Sequence, residues 1–132
     1  MALRTPLVLV AEHHDDTRYM LRELFALHGV QVAECADGDA TVAAAFRVRP
    51  DVILLDARLP GLDSLTVVRR LRKSTAMHNV RIVFVSDDGR PGDEARARAA
   101  GSDHYLLKPV DLDEVLRLVR SSSGSVAFPG RR

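Results

Sequence analysis

The chain has 132 residues and a formal net charge of +1 at pH 7, with 46% hydrophobic and 28% charged residues. This size and mixture are typical of one globular domain, and the small net charge gives no reason to expect direct nucleic-acid binding. The single cysteine, Cys35, excludes an internal disulfide, and no apolar run is long enough to cross a bilayer. The opening MALRTP lacks a signal-peptide pattern, so we expect a cytoplasmic protein with no membrane partner.

Short apolar runs alternate with helical patterns along the first half of the chain. In chain order, the pattern predicts a strand at 7–11, a helix between Asp15 and Gly29, a strand at 30–34, a helix between Gly38 and Pro50, and a strand at 52–55 that ends at Asp56. The predicted apolar face of the first helix consists of Met20, Leu21, Leu24, Phe25 and Leu27. Either Asp15 or Asp16 is expected to cap that helix.

The second half of the chain continues the same alternation after a turn at Pro60-Gly61. It predicts a helix at 64–72, a strand at 81–85 that ends at Ser86, a helix at 94–100, a strand at 105–107 and a last helix from Asp111 to about Arg120. Five strands alternating with five helices predict an α/β fold, a parallel sheet with helices on both faces. We assign residues 1–121 to this domain and the serine- and glycine-rich residues 122–132 to a flexible tail.

Polar side chains follow the strands at the ends where open α/β sheets hold their sites. Glu12 and His13 follow the first strand, Asp56 the third, Ser86 the fourth and Lys108 the fifth. Asp56 comes directly after an apolar strand with no helix start beside it, so helix capping does not explain it. The carboxylates, hydroxyl and lysine therefore indicate a site for a cation and a phosphoryl group.

Four segments resemble the receiver domains of two-component response regulators. They are VLVAEHHDDTR, PDVILLDARLPGLDSL, VFVSDD and AGSDHYLLKP. The resemblance runs from about Leu7 to Arg120. It implies the flavodoxin-like doubly wound sheet with five strands in the order 2-1-3-4-5.

The resemblance also implies a role for each polar residue at the sheet edge. Asp56 corresponds to the aspartate that accepts a phosphoryl group from a histidine kinase or phosphotransfer protein. Lys108 corresponds to the cation beside it, while Ser86 and Tyr105 correspond to the switch hydroxyl and aromatic residue. The implied ligands of Mg²⁺ or Mn²⁺ are Glu12, Asp56, the backbone carbonyl of Arg58 and, in place of a second acid, His13.

The first departure from the family pattern lies in the predicted metal site. His13 replaces an acid, and Mg²⁺ prefers oxygen ligands, so the resemblance implies weakened metal binding. Asp15 and His14 are the candidates that would compensate. Two adjacent histidines with no cysteine nearby are weak evidence for zinc, and an ordinary loop is the favoured interpretation. Ser64 replaces a family glycine, which is a small change.

Acidic residues beside the switch hydroxyl are the second departure. Asp87 follows Ser86 where the family favours a small residue. A carboxylate about 5 Å from a phosphoryl group would cost several kcal/mol at an effective dielectric of about 20, unless the side chain turns to solvent. Arg58 and Asp88 lie two residues beyond Asp56 and Ser86, and they predict either an ion pair across the site or two solvated charges.

The favoured function is a signalling receiver that assists its own phosphorylation and dephosphorylation and is not otherwise an enzyme. It would act on an unknown output protein through the fourth helix, fifth strand and fifth helix, as a monomer or weak dimer. The alternative is an atypical receiver that binds its partner without phosphorylation, for which His13 and Asp87 are the evidence. A nucleotide- or flavin-binding protein is disfavoured because the sequence contains no glycine-rich phosphate-binding motif.

Overall fold

The computed structural model describes residues 5–122, which form a five-stranded parallel sheet in the order β2-β1-β3-β4-β5. The strands are β1 (Leu7–Ala11), β2 (Gln31–Cys35), β3 (Val52–Asp56), β4 (Arg81–Ser86) and β5 (His104–Leu107). The helices are α1 (Asp15–Leu27), α2 (Gly38–Val48), α3 (Ser64–Arg72), α4 (Asp93–Ala100) and α5 (Leu112–Ser122), with a short 3₁₀ helix at Thr75–Met77. The predicted α/β architecture and strand order are therefore confirmed. Of the predicted tail, residues 123–132 lie outside the described residues.

The sheet is buried on both faces, which explains why β3 and β4 are almost continuous apolar runs. On one face, Leu9, Ile53 and Ile82 pack with residues of α2, α3 and α4. On the other face, Val8 and Val52 pack with residues of α1 and α5. Side chains alternate between the two faces along each strand, so each strand contributes to both halves of the core.

Register fixes which residues reach the carboxyl edge of the sheet. Ala11 is paired with Leu55, Asp56 with Val85, and Ser86 with Leu107. The strands β1, β3, β4 and β5 therefore end within about one residue of a common line. The residues that follow them, which the sequence places far apart, emerge side by side at this edge.

The predicted apolar face of α1 is too wide. Leu21 and Phe25 are buried, whereas Met20 is 50% and Leu27 is 80% exposed. A surface helix contacts a sheet along a narrow stripe, and residues four apart lie at its centre while their neighbours turn toward solvent. The prediction of Met20 and Leu27 as core residues is therefore wrong.

The start of α1 also differs from the prediction. His14 is the N-cap residue and its side chain makes no capping hydrogen bond. The Asp15 carboxylate instead accepts a hydrogen bond from the Arg18 guanidinium at 2.6 Å. Both predicted caps, Asp15 and Asp16, lie inside the first turn, where their charge is favourable at the positive end of the helix dipole.

Candidate functional site

Asp56 is the last residue of β3 and its side chain is only 3% exposed. Its Oδ1 accepts a hydrogen bond from the Arg58 backbone N–H at 3.1 Å. Its Oδ2 is buried and has no hydrogen-bond partner among residues 5–122. The Ser64 hydroxyl donates to the Asp56 carbonyl at 2.6 Å, so this serine holds the end of the strand in place. Within residues 5–122, one buried carboxylate oxygen is thus presented without a hydrogen-bond partner at the carboxyl edge of the sheet.

Lys108 follows β5 and directs its ammonium group into the same pocket. Nζ lies 3.0 Å from Glu12 Oε1, 3.7 Å from Asp56 Oδ1 and 3.7 Å from Asp87 Oδ1. Burial by itself lowers the pKa of Lys108, but the hydrogen bond to Glu12 and the charge of Asp56 outweigh burial and raise it. The ammonium therefore balances three carboxylates, and its shortest contact is to Glu12, not to Asp56.

Glu12 and Asp56 are both buried, but their environments move their pKa values in opposite directions. Burial tends to raise the pKa of Glu12, yet hydrogen bonds from the His14 backbone N–H and from Lys108 outweigh it and lower that pKa. Burial raises the pKa of Asp56, and the neighbouring charge of Glu12 adds to this effect, against the lowering by the Arg58 N–H and Lys108. Glu12 is thus the more readily ionised carboxyl group of the pair.

Two histidines complete the pocket on the side of β1. His13 Nδ1 lies 3.5 Å from Asp56 Oδ2, and His14 Nδ1 lies 3.0 Å from Glu12 Oε2. One ligand atom from each of Glu12, His13, His14 and Asp56 falls within 4.8 Å of the others. Asp15, the other residue predicted to compensate for His13, is 87% exposed and bound to Arg18. The sequence showed two adjacent histidines but contained no signal that both would face carboxylates.

The loop after β4 forms the other side of the pocket. Ser86 is buried, and its Oγ lies 3.4 Å from Asp88 Oδ1 and from the backbone nitrogens of Asp88 and Gly89. Asp88 accepts a hydrogen bond from the Arg58 guanidinium at 2.9 Å. Of the two predicted alternatives, an ion pair or two solvated charges, the ion pair is therefore present. Arg90, which the sequence analysis missed, also contacts Asp88 at 3.0 Å.

Asp87 and Tyr105 both lie near Ser86, Asp87 as the next residue of the chain and Tyr105 on the neighbouring strand β5. The Asp87 carboxylate faces the pocket, 3.7 Å from Lys108 and 3.9 Å from Arg58 Nε, and its side chain is 41% exposed. The Tyr105 ring stacks on Phe84 with 6.2 Å between centroids. Its hydroxyl is buried and has no hydrogen-bond partner in the described part of the chain. Tyr105 on β5 therefore packs against Phe84 of β4, the neighbouring strand that ends at Ser86.

Comparison with known proteins agrees with this geometry. The sequence model of the response regulator receiver domain matches residues 8–120. The chain is 28% identical to Protein PilH of Pseudomonas aeruginosa over 86% of its own length and 94% of that protein. It is 36% identical to the transcriptional regulatory protein PrrA of Mycobacterium tuberculosis over 89% of its length, and it spans only 49% of that relative.

Solved structures agree as well. The receiver domain of the sensor histidine kinase PA1611 from Pseudomonas aeruginosa, which was solved with magnesium in its active-site cleft, superposes with a TM-score of 0.80. That comparison covers 89% of this chain and 96% of the other at 29% identity. The receiver domain of the Francisella response regulator 1452 gives a TM-score of 0.81 at 26% identity, covering 89% and 96% of the two chains. The chain therefore belongs to the response regulator receiver domain family.

Proposed function

We propose that this receiver domain is controlled by phosphorylation of Asp56, with the phosphoryl group supplied by a histidine kinase or a phosphotransfer protein. The observation that carries the proposal is the buried Asp56 carboxylate, whose Oδ2 has no hydrogen-bond partner in residues 5–122 while Lys108 and Glu12 adjoin it. In the transfer, a carboxylate oxygen forms a bond to phosphorus as the bond from phosphorus to the donor's imidazole nitrogen breaks.

A divalent cation fits this pocket because Glu12 and Asp56 offer two buried carboxylates, and one Asp56 oxygen has no hydrogen-bond partner in the described part of the chain. Glu12, Asp56 and the backbone carbonyl of Arg58 would hold Mg²⁺ or Mn²⁺, with His13 at the edge of the site. When bound, such an ion neutralises charge on phosphoryl oxygens. Lys108 supplies a second cation within 3.7 Å of Asp56 and positions the carboxylate.

The response to phosphorylation would pass through Ser86 and Tyr105. The Ser86 hydroxyl makes long contacts of 3.4 Å to Asp88 and Gly89 in the loop after β4, so little holds it against a move toward a phosphoryl oxygen. The Tyr105 ring packs against Phe84, which lies two residues before Ser86 on β4. The output face would comprise α4, β5 and α5, where Leu107 is 52% exposed. The protein would then act on its output partner as a monomer or weak dimer.

Acetyl phosphate and Mg²⁺, followed by intact mass measurement, test this function. The parent should gain the mass of one phosphoryl group, and Asp56→Asn should gain nothing. Asp51→Asn is a matched control, because Asp51 is also buried but precedes the same strand at its other end. Undiminished labelling of Asp56→Asn would sink the assignment.

The second candidate is an interaction module that works without phosphorylation. Two observations favour it: Asp87 faces the pocket 3.7 Å from Lys108, and the Arg58–Asp88 ion pair lies across the pocket. Such a module would leave the parent unlabelled in the same experiment while the fold stays intact. Within residues 5–122, no helix has the length and apolar character that a membrane span requires.

A further inference from the structure

We propose that Glu12, His13, His14 and Asp56 form a mixed imidazole–carboxylate site that binds Zn²⁺, or a divalent transition metal of similar ligand preference, more tightly than Mg²⁺. This inference deepens the proposed function by naming the metal class of the same pocket, and it rests on that function only in sharing Asp56. It does not require that phosphorylation occurs.

The carboxylates are oriented so that each contacts a cation with one oxygen and an imidazole with the other. Glu12 Oε1 contacts Lys108 at 3.0 Å, and Glu12 Oε2 contacts His14 Nδ1 at 3.0 Å. Asp56 Oδ1 lies beside Lys108 and the Arg58 N–H, and Asp56 Oδ2 faces His13 Nδ1 at 3.5 Å. Two oxygens and two nitrogens therefore surround the same space.

The distances suit a single ion. Two ligands bonded at about 2.1 Å to a tetrahedral Zn²⁺ lie about 3.4 Å apart, and two ligands at that bond length can never lie more than about 4.2 Å apart. The four ligand atoms here lie within 4.8 Å of one another, with 3.5 Å and 3.0 Å between the two facing pairs. Rotation of the imidazoles would have to close the widest separation by up to about 1.4 Å to reach the tetrahedral value. The His13 and His14 side chains, 38% and 57% exposed, have room for it.

Hydrogen bonding alone leaves part of this arrangement unexplained. It accounts for His14 and Glu12 at 3.0 Å. It does not account for the position of Asp56 Oδ2, which is buried and has no hydrogen bond among residues 5–122. The imidazole nitrogen that faces this oxygen, His13 Nδ1, lies 3.5 Å away. A buried acceptor of this kind costs free energy unless an ion or donor satisfies it.

Ligand chemistry selects the metal class. Mg²⁺ prefers oxygen and a nearly octahedral shell, whereas imidazole nitrogen suits Zn²⁺, Ni²⁺ and Cu²⁺. Two imidazoles and two carboxylates match the ligands that proteins use for Zn²⁺. His13, which weakens the site for Mg²⁺, strengthens it for these ions.

Direct titration of the untagged protein with Zn²⁺, Ni²⁺ and Mg²⁺, in the absence of any phosphoryl donor, tests the proposal. Zn²⁺ should bind at least about tenfold more tightly than Mg²⁺, and His13→Ala and Asp56→Asn should each weaken Zn²⁺ binding about tenfold or more. His28→Ala is the matched control, because His28 is exposed and lies at the far end of α1, and it should bind Zn²⁺ as the parent does.

The reciprocal variant is His13→Asp, which exchanges a nitrogen ligand for oxygen. It should tighten Mg²⁺ binding and weaken Zn²⁺ binding. With Co²⁺ as a spectroscopic probe, the visible absorption of the parent should change in His13→Ala and stay unchanged in His28→Ala.

Two results would overturn the proposal: equal affinity of the parent for Mg²⁺ and Zn²⁺, or Zn²⁺ binding that Asp56→Asn leaves unchanged. The second result would mean that the exposed histidine pair binds zinc without the carboxylates. Zn²⁺ titration and acetyl phosphate labelling together distinguish failure of this inference from failure of the proposed function. A parent that binds Zn²⁺ as expected but takes no label from acetyl phosphate contradicts only the proposed function. A labelled parent with no preference for Zn²⁺ contradicts only this inference.

Discussion

Lys108 balances the charge of the pocket, and its loss should therefore destabilise the protein. The Lys108 side chain is only 21% exposed, and Nζ lies 3.0 Å from Glu12 and 3.7 Å from Asp56. Lys108→Ala leaves two buried carboxylates facing each other, so we expect a loss of about 1–3 kcal/mol in the free energy of unfolding. Urea denaturation measures this loss.

The control for that variant is Lys73→Ala, which removes an exposed lysine and should change stability by less than about 0.5 kcal/mol. Equal stability of Lys108→Ala and the parent would show that water replaces the ammonium without cost. A phosphorylated Lys108→Ala should also fail to transmit the change to Ser86, which the chemical shifts of the loop after β4 would report.

Asp87 should oppose phosphorylation because its carboxylate faces the pocket. It shares Lys108, at 3.7 Å, with the carboxylate that would carry the phosphoryl group. The side chain is 41% exposed, so water screens the repulsion. We expect Asp87→Asn to accelerate labelling by acetyl phosphate roughly two- to fivefold, which corresponds to about 0.5–1 kcal/mol. The gain should shrink at high salt.

Asp87→Ala distinguishes charge from size at this position. If charge alone matters, the alanine and asparagine variants should be labelled at the same rate. Faster labelling of Asp87→Ala alone would mean that the side chain obstructs access to Asp56 and that the charge argument is wrong. Parent-like rates in both variants would place the carboxylate outside the reaction.

At the scale of the element, α1 provides an internal comparison of buried and exposed apolar residues. Phe25 is fully buried against the sheet, whereas Leu27 is 80% exposed. Phe25→Ala should cost about 3–5 kcal/mol because it leaves a cavity, and Leu27→Ala should cost less than about 0.5 kcal/mol. Urea denaturation midpoints of both variants test the burial pattern. A large loss for Leu27→Ala would mean that a further part of the protein covers this end of α1.

The same helix shows how far the sequence could predict the elements. Apolar runs located the strands to within a residue or two, because a strand that is buried on both faces is apolar along nearly its whole length. Periodicity located α1 but did not define its contact face, since Leu27 fits the helical pattern and yet is exposed to solvent. The start of the helix was harder still, because an acidic residue is favourable both as a cap and in the first turn.

At the scale of the whole molecule, the strand order creates the site. Glu12 and Lys108 are 96 residues apart in the chain and 3.0 Å apart in space. The sequence could predict that both lie at the carboxyl edge, because topology determines which ends of parallel strands meet. It could not predict that Lys108 pairs more closely with Glu12 than with Asp56, or that His14 faces Glu12. Those contacts depend on side-chain rotamers and on the residue at which α1 begins. One residue more or less in the loop before α1 would change that starting point.

Burial of the Asp56 carboxylate should also lower the stability of the folded protein at neutral pH, and the pH dependence of the free energy of unfolding should show it. Burial raises the pKa of Asp56 in the folded protein above the value of about 3.9 for an unfolded chain. Between these two pKa values the folded state binds more protons, so the Asp56 contribution to stability falls as pH rises and stays lost at pH 7. Asp56→Asn cannot ionise, and in chelator its stability should match the parent near pH 3.5 and exceed it at pH 7. Asp16→Asn, at an exposed position in the first turn of α1, should not become more stable than the parent at pH 7. An Asp56→Asn protein less stable than the parent at pH 7 would mean that attraction to Lys108 outweighs burial.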